Sequence, residues 1–188
     1  MMKQALHIEA YAIVSEDGML TDAAGSIPPS LKFDADQHFF EVGLDAVDIV
    51  IQGRNSQEQL SHSAMRRRLI LTRSILSIAP DSSNSNAILW NPAGASFGEA
   101  LATFQAPNPR VAVIGGPRVF ELFLDLYDVF HLSRVANVRL PSGLPIFGDV
   151  PSRTPEAVLA THGLVYAEQE LLGAGNGLTI TGWRRFQI

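Results

Sequence analysis

The 188-residue chain contains no cysteine. Disulfides, a thiolate nucleophile and thiolate metal sites are thereby excluded. The composition suits a reducing compartment, so the expected location is cytoplasmic. Several chemical signatures are missing as well. No GxGxxG follows the first strand-like run and no GxxxxGK[ST] occurs anywhere, which leaves a standard dinucleotide fold and a P-loop enzyme without support. HExxH is absent, and so is the GxSxG of an esterase elbow. The five histidines, His7, His38, His62, His131 and His162, are scattered without metal-ligand spacing, and no metal is expected. Positive charge is in deficit. Lys and Arg number 14 against 19 Asp and Glu, a net charge of -5, which argues against nucleic acid or an anionic membrane as the main partner. The opening MMKQALHIEAYAIVSEDG has one lysine and then a glutamate within its apolar stretch. It reads as neither a signal peptide nor a transmembrane span.

What is present is a globular composition, 46% hydrophobic and 18% charged. The length suits one good hydrophobic core and is short for two, and nothing between residues 6 and 183 reads as a linker, so one domain over 1–188 is expected. Strand-like runs are predicted at 6–14, 46–51, 69–71, 87–90, 111–114 and 129–135, with helical spacing at 34–44, 93–104 and 119–127. Residues 22–30 and 137–155 read as irregular or loop-rich. The C-terminus reads as an antiparallel pair, 164–171 and LTITGW, joined by a GAGNG turn. The resulting expectation is an α/β chain: a mostly parallel twisted sheet with helices on both faces and an antiparallel C-terminal hairpin.

Open α/β sheets bind ligands beyond the carboxyl ends of their strands. Three loops in such positions combine backbone freedom or hydroxyls with an arginine. They are Gly53-Arg54-Asn55-Ser56 after AVDIVIQ, Thr72-Arg73-Ser74 after LILT, and Gly115-Gly116-Pro117-Arg118 after VAVI. Free N–H groups at helix starts and guanidinium forks both favour anions, so a phosphate-bearing ligand is expected.

Taken together, AYAIVSEDGML, DIVIQGRNSQE, LILTRS and VAVIGGPRVFELFLDLYDVFHLSRV resemble the dihydrofolate reductase superfamily, in order and spacing, over most of residues 6–186. That group includes the pyrimidine reductase domain of riboflavin biosynthesis. The resemblance implies the dihydrofolate reductase-like three-layer fold and a nicotinamide cofactor, usually NADPH, across the sheet ends. It implies that Gly53, Arg54 and Ser56 border the cofactor, and that Thr72 and Arg73 meet the 2′-phosphate region. Gly115 and Gly116 would let the pyrophosphate and nicotinamide approach the backbone, while Pro117, Arg118 and Val119 begin a helix facing the pyrophosphate. Pro117 departs from the small residue common there; its missing N–H costs nothing within the helix but removes a donor to phosphate. Phe120 stands where folate-reducing members often carry tyrosine.

The substrate side departs further. Folate-reducing relatives have proline-tryptophan in the early loop, and this chain has Ile27-Pro28-Pro29-Ser30. For the acidic residue that pairs with a pterin edge, counting forward from the prolines points to Asp34. Counting back from His38-Phe39-Phe40 points to Asp36, which shares a helix face with Phe40. Either aspartate would also serve as a cap or a solvated group at the helix start. The implied reaction is hydride transfer from the reduced nicotinamide to a pteridine or a ribosylamino-pyrimidine, with a proton relayed by water near the aspartate. Two alternatives remain: a drifted member that binds the nucleotide without folate or riboflavin-pathway activity, or a non-catalytic protein that dimerises through its hairpin edge. Dimers are common in this kind of fold, so a homodimer is the assembly to test for.

Overall fold

A computed structural model of the chain describes residues 6–56, 60–171 and 177–186. In chain order its elements are β1 (His7–Ser15), β2 (Met19–Thr21), α1 (Asp34–Asp45), β3 (Ile49–Gly53), β4 (Arg68–Leu71), β5 (Ile78–Pro80), β6 (Ala87–Trp90), α2 (Phe97–Ala102), β7 (Arg110–Val113), α3 (Pro117–Leu122), β8 (Val129–Val135), β9 (Leu144–Pro145), α4 (Pro155–Thr161), β10 (Leu164–Leu171) and β11 (Leu178–Arg185).

Nine of the strands form one sheet in the order β10-β11-β8-β1-β7-β3-β4-β6-β5. The pairs from β8 through β6 are parallel. The C-terminal hairpin adds antiparallel strands at one end, as expected. At the other end β5 adds one that the sequence reading lacked. It is short, and it ends on Pro80, which has no N–H to offer and suits a sheet edge. The GAGNG connection falls mostly outside the described residues.

Period-two alternation sends the side chains of the central strands to two faces. On β1, Ile8, Ala10 and Val14 join the larger core with Val111 and Val113 of β7 and Ile49 and Ile51 of β3. Residues of α2, α3 and α4 cover that face, including Ala100, Val119, Phe120, Val158 and Leu159. The intervening residues Val50 and Ala112 face the other way and pack with Leu44 of α1, against which Tyr11 and Phe40 also lie. Helices thus cover both faces, as a sheet apolar on both sides requires. Aromatic side chains fill the larger core: Phe120, Phe123, Tyr127 and Phe130 touch in a chain that reaches Phe147.

Two helices differ from the sequence reading in their limits, and a third, α4, was not read as a helix. The run at 93–104 becomes helical only at Phe97, because the chain first turns tightly about Asn91, whose carbonyl accepts from both Gly94 and Ala95. Ser96 and Glu99 then form a reciprocal capping box. The run at 119–127 starts earlier, with Pro117 in its first turn, and ends at Leu122. Within the stretch read as loop to residue 155, β9 pairs with β2 in a separate two-stranded sheet, and α4 begins at Pro155. The signals for α4 were local: Thr154 caps Ala157 and proline follows it. No helix among the described residues is long and apolar enough to cross a membrane.

Candidate active site

Beyond the carboxyl ends of β3, β4, β6 and β7 lies a cleft of about 1270 Å³ that runs under β1 and β8 to helix α1. β7 sits between β1 and β3, so the chain has crossed over itself there, the usual place for a ligand in such a sheet.

One half of the cleft is built from strand-end loops. Gly53, Arg54 and Ser56 follow β3, Thr72 and Arg73 follow β4, Asn91 follows β6, and Gly116 through Phe120 follow β7; all line the cleft. Arg54 donates from Nη1 to Ser74 Oγ at 2.9 Å, and Ser74 Oγ lies 2.9 Å from Thr72 Oγ1, which ties the β3 and β4 loops together. Arg73 and Arg118 are exposed and have no carboxylate partner among the described residues.

The glycines make the cradle. A Cβ on Gly116 would lie 3.4 Å from Ser56 Oγ, and one on Gly53 would lie 3.7 Å from the Gly116 nitrogen. Side chains at these positions would fill the space between the two loops. Gly115, also expected to border a ligand, is not among the lining residues. It lies buried behind them, accepting from Gly53 N at 2.7 Å through its carbonyl. Its φ is +103°, and a Cβ would come within 2.8 Å of the Phe120 ring. The Gly115–Gly116 peptide is cis.

The other half is built by α1, β1 and β8. The two aspartates of the first turn of α1 part company here. Asp34 is exposed and does not line the cleft, whereas Asp36 is half-buried and does. Asp36 accepts a hydrogen bond from the Ser133 hydroxyl on β8. Burial raises the Asp36 carboxyl above its ordinary range, and the Ser133 bond opposes that rise. Phe39 and Phe40 follow Asp36 on the helix and line the cleft with Tyr11 and His131. Tyr11 and His131 face each other in the β1–β8 register and stack with ring centroids 4.7 Å apart. Burial lowers the His131 imidazole, with Glu9 and Glu168 acting upward and Arg184 and His7 downward.

The sequence reading did not select Ser133, His131 or Tyr11. A signal existed in VFHLSRV, where His131 and Ser133 sit two apart in an otherwise apolar strand and so share one face. What they would share it with required knowledge of the strand pairing.

No protein-family model matches the chain, and no curated protein matches its sequence. Solved structures do match in fold. A candidate riboflavin biosynthesis protein from Shewanella sp. PV-4 aligns at 19% identity and TM-score 0.66, over 97% of this chain and 100% of that one. A diaminohydroxyphosphoribosylaminopyrimidine deaminase/5-amino-6-(5-phosphoribosylamino)uracil reductase from Thermotoga maritima aligns at 17% identity and TM-score 0.70. That alignment covers 98% of this chain but spans only 58% of the Thermotoga protein. Dihydrofolate reductase from Enterococcus faecalis, complexed with NADP(H), aligns at 16% identity and TM-score 0.66, over 96% of this chain and 97% of that one. The fold is therefore the dihydrofolate reductase-like fold that the sequence resemblance implies.

Proposed function

We propose that this chain is a single-domain, NADPH-dependent reductase that delivers a hydride to a nitrogen heterocycle of the pteridine or ribosylamino-pyrimidine type. The observation that carries the reading is one continuous cleft with two unlike ends. One end has free guanidiniums, hydroxyls and a glycine cradle, and the other has a half-buried carboxyl beside aromatic rings. The first end suits a phosphate-rich dinucleotide, and the second suits a flat ring with paired donors. Among the solved structures of this fold, the Enterococcus enzyme holds NADP(H) and the Thermotoga protein is a reductase of a phosphoribosylamino-uracil.

The residues present fit such a cofactor. Arg54, Thr72 and Arg73 would hold the adenosine-phosphate end, with Arg73 favouring an extra phosphate. Gly116 and the start of α3 would take the pyrophosphate. Pro117, at the first turn, contributes no N–H there. When bound, the reduced nicotinamide supplies a hydride to a C=N or C=O carbon of the substrate.

This chain's own residues do the rest. Phe39, Phe40 and Tyr11 would hold the acceptor ring flat and exclude water from it. Asp36 would bind the ring's donor edge and, through a water, pass a proton to the atom next to the new C–H bond. Its raised carboxyl keeps that proton available nearer to neutral pH.

Fluorescence titration of the purified protein with NADPH tests the cofactor. Quenching or a shift at micromolar NADPH is expected, and no binding of NADPH or NADH would sink the reductase reading. Turnover with dihydrofolate against 5-amino-6-(5-phosphoribosylamino)uracil then separates the two substrate classes.

A further inference from the structure

The cleft ends on a wall of rings, and behind that wall lies a second cavity of about 340 Å³. Tyr11, Phe39 and His131 line both spaces, so these three side chains divide them. His131 stacks on Tyr11, and Phe39 stands edge-on to it with centroids 5.3 Å apart.

The polar end of Tyr11 is committed to the far side of the wall. Its hydroxyl donates to Glu9 Oε1 at 3.0 Å, and Glu9 lines the small cavity and not the cleft. Gly43 of α1 makes room for that hydroxyl, since a Cβ there would lie 2.3 Å from the Tyr11 oxygen. Phe39 has no polar atom to offer. The imidazole is thus the polar side chain of the wall that borders both the small cavity, where Glu9, His7 and Arg184 also lie, and the cleft. Among the described residues, its nitrogens have no hydrogen-bond partner. His131 is half-buried and its nitrogens are not sealed from solvent, so they stay available to a ligand that enters the cleft.

Its position relative to Asp36 is set by the strand. Ser133, which bonds Asp36, is two residues along β8 on the same face, and one strand repeat of that kind covers about 7 Å. A heterocyclic ring with its substituents spans such a gap. Burial, with Arg184 and His7 acting the same way and Glu9 and Glu168 against it, lowers the imidazole and keeps it neutral at pH 7, so it offers one donor and one acceptor.

We infer that His131 is a specificity-determining residue of the cleft. Its imidazole hydrogen-bonds one polar edge of a pyrimidine-type ring whose other edge is held by Asp36. The inference rests on the reductase reading and extends it to a named contact on the substrate.

The test is calorimetric titration of the NADPH-loaded protein with 5,6-diaminouracil, for wild type, His131→Phe and His131→Gln. Phenylalanine keeps a flat ring against Tyr11 without nitrogens. Glutamine keeps one donor and one acceptor without the ring. The expected result is a loss of about tenfold or more in affinity for His131→Phe, with NADPH affinity unchanged, and substantial recovery in His131→Gln.

Equal affinity in His131→Phe and wild type would overturn the inference. So would equal weakening in both variants, which marks packing rather than a polar contact. Should His131→Phe fail to fold, the imidazole nitrogen resonances of wild-type His131 decide: they shift on adding 5,6-diaminouracil, and unmoved signals refute the contact. Failure of wild type to bind 5,6-diaminouracil while binding NADPH overturns this inference alone. Failure to bind NADPH overturns the reading beneath it.

Discussion

Ser133 on β8 donates its hydroxyl hydrogen bond to Asp36 in the first turn of α1, across 97 residues of sequence. The bond joins a helix to the sheet on the face opposite the large aromatic core. It also sets two opposed influences on one carboxyl: burial favours the protonated form and the hydroxyl favours the charged form. The balance between them decides how the cleft responds to pH.

Removing the hydroxyl tips that balance. In Ser133→Ala the Asp36 carboxyl titrates higher than in wild type, because the influence that lowered it is gone. Carbon NMR of the labelled Asp36 carboxyl reads the change directly. A titration that stays in place or moves down would refute this account.

Removing the charge has the opposite consequence for stability. The Asp36 carboxyl titrates above 3.8, its ordinary value, in the folded chain. Below that value both folded and unfolded chains carry a neutral carboxyl, and Asp36→Asn and wild type are close in stability. As pH rises through the raised folded value, the native state must bury a charge that the unfolded chain leaves in water, and wild type loses stability relative to the variant. Thermal denaturation therefore finds Asp36→Asn the more stable of the two at pH 7, with the gap closing toward pH 3.5. In the proposed reaction the same variant loses about 100-fold or more in turnover. Asp34→Asn, altering an exposed side chain outside the cleft, leaves turnover within about twofold, as surface changes do.

Arg73 carries the expected preference between cofactors. Arg73→Ala weakens NADPH binding by about tenfold or more, the usual consequence of losing a charge-assisted contact to phosphate, and leaves NADH nearly unchanged. Fluorescence titrations with both nucleotides measure it. Parallel losses for the two would place Arg73 away from the extra phosphate.

Two glycines separate backbone need from chance. Gly115→Ala puts a Cβ at φ +103° and within 2.8 Å of the Phe120 ring. It costs about 1–2 kcal/mol from the backbone alone, before the ring must move. Gly98→Ala, early in α2 with nothing within 4 Å of the new atom, stabilises by up to about 1 kcal/mol. Melting temperatures check both, at roughly 2–4 °C per kcal/mol for a chain of this size.

Much of the architecture was legible locally. VAVI and the IVI of AVDIVI read as buried strands because a sheet covered on both faces needs apolar side chains at every position, whereas Ala46 ends α1 and the strand begins only at Ile49. The strand-end loops with their arginines were likewise visible, since glycine, hydroxyl and guanidinium in such places have few other joint uses. The start of α2 had a local signal in the Ser96-x-x-Glu99 capping box, but the tight turn that holds residues 93–95 out of the helix was not legible. In that turn Gly94 passes so close to the Leu76 carbonyl that a Cβ would meet it at 1.8 Å, a contact between loops distant in sequence. β5 escaped because three residues give no periodicity to read. For α4, a threonine cap and a proline stood in a stretch whose glycines and prolines suggested loop throughout.

The sequence by itself determined the sheet-and-helix alternation, the lack of thiol chemistry and the concentration of anion-friendly loops after three strands, because each follows from composition and near-neighbour spacing. Tertiary structure alone decided which aspartate enters the cleft and what meets it there. Asp34 and Asp36 share the first turn of one helix, and only the packing of α1 on the sheet distinguishes them. Ser133 becomes the partner of Asp36 through the packing of α1 on β8, and Tyr11 and His131 meet in the same cleft through the parallel pairing of β1 with β8; a register is a relation between distant segments that neither segment encodes alone.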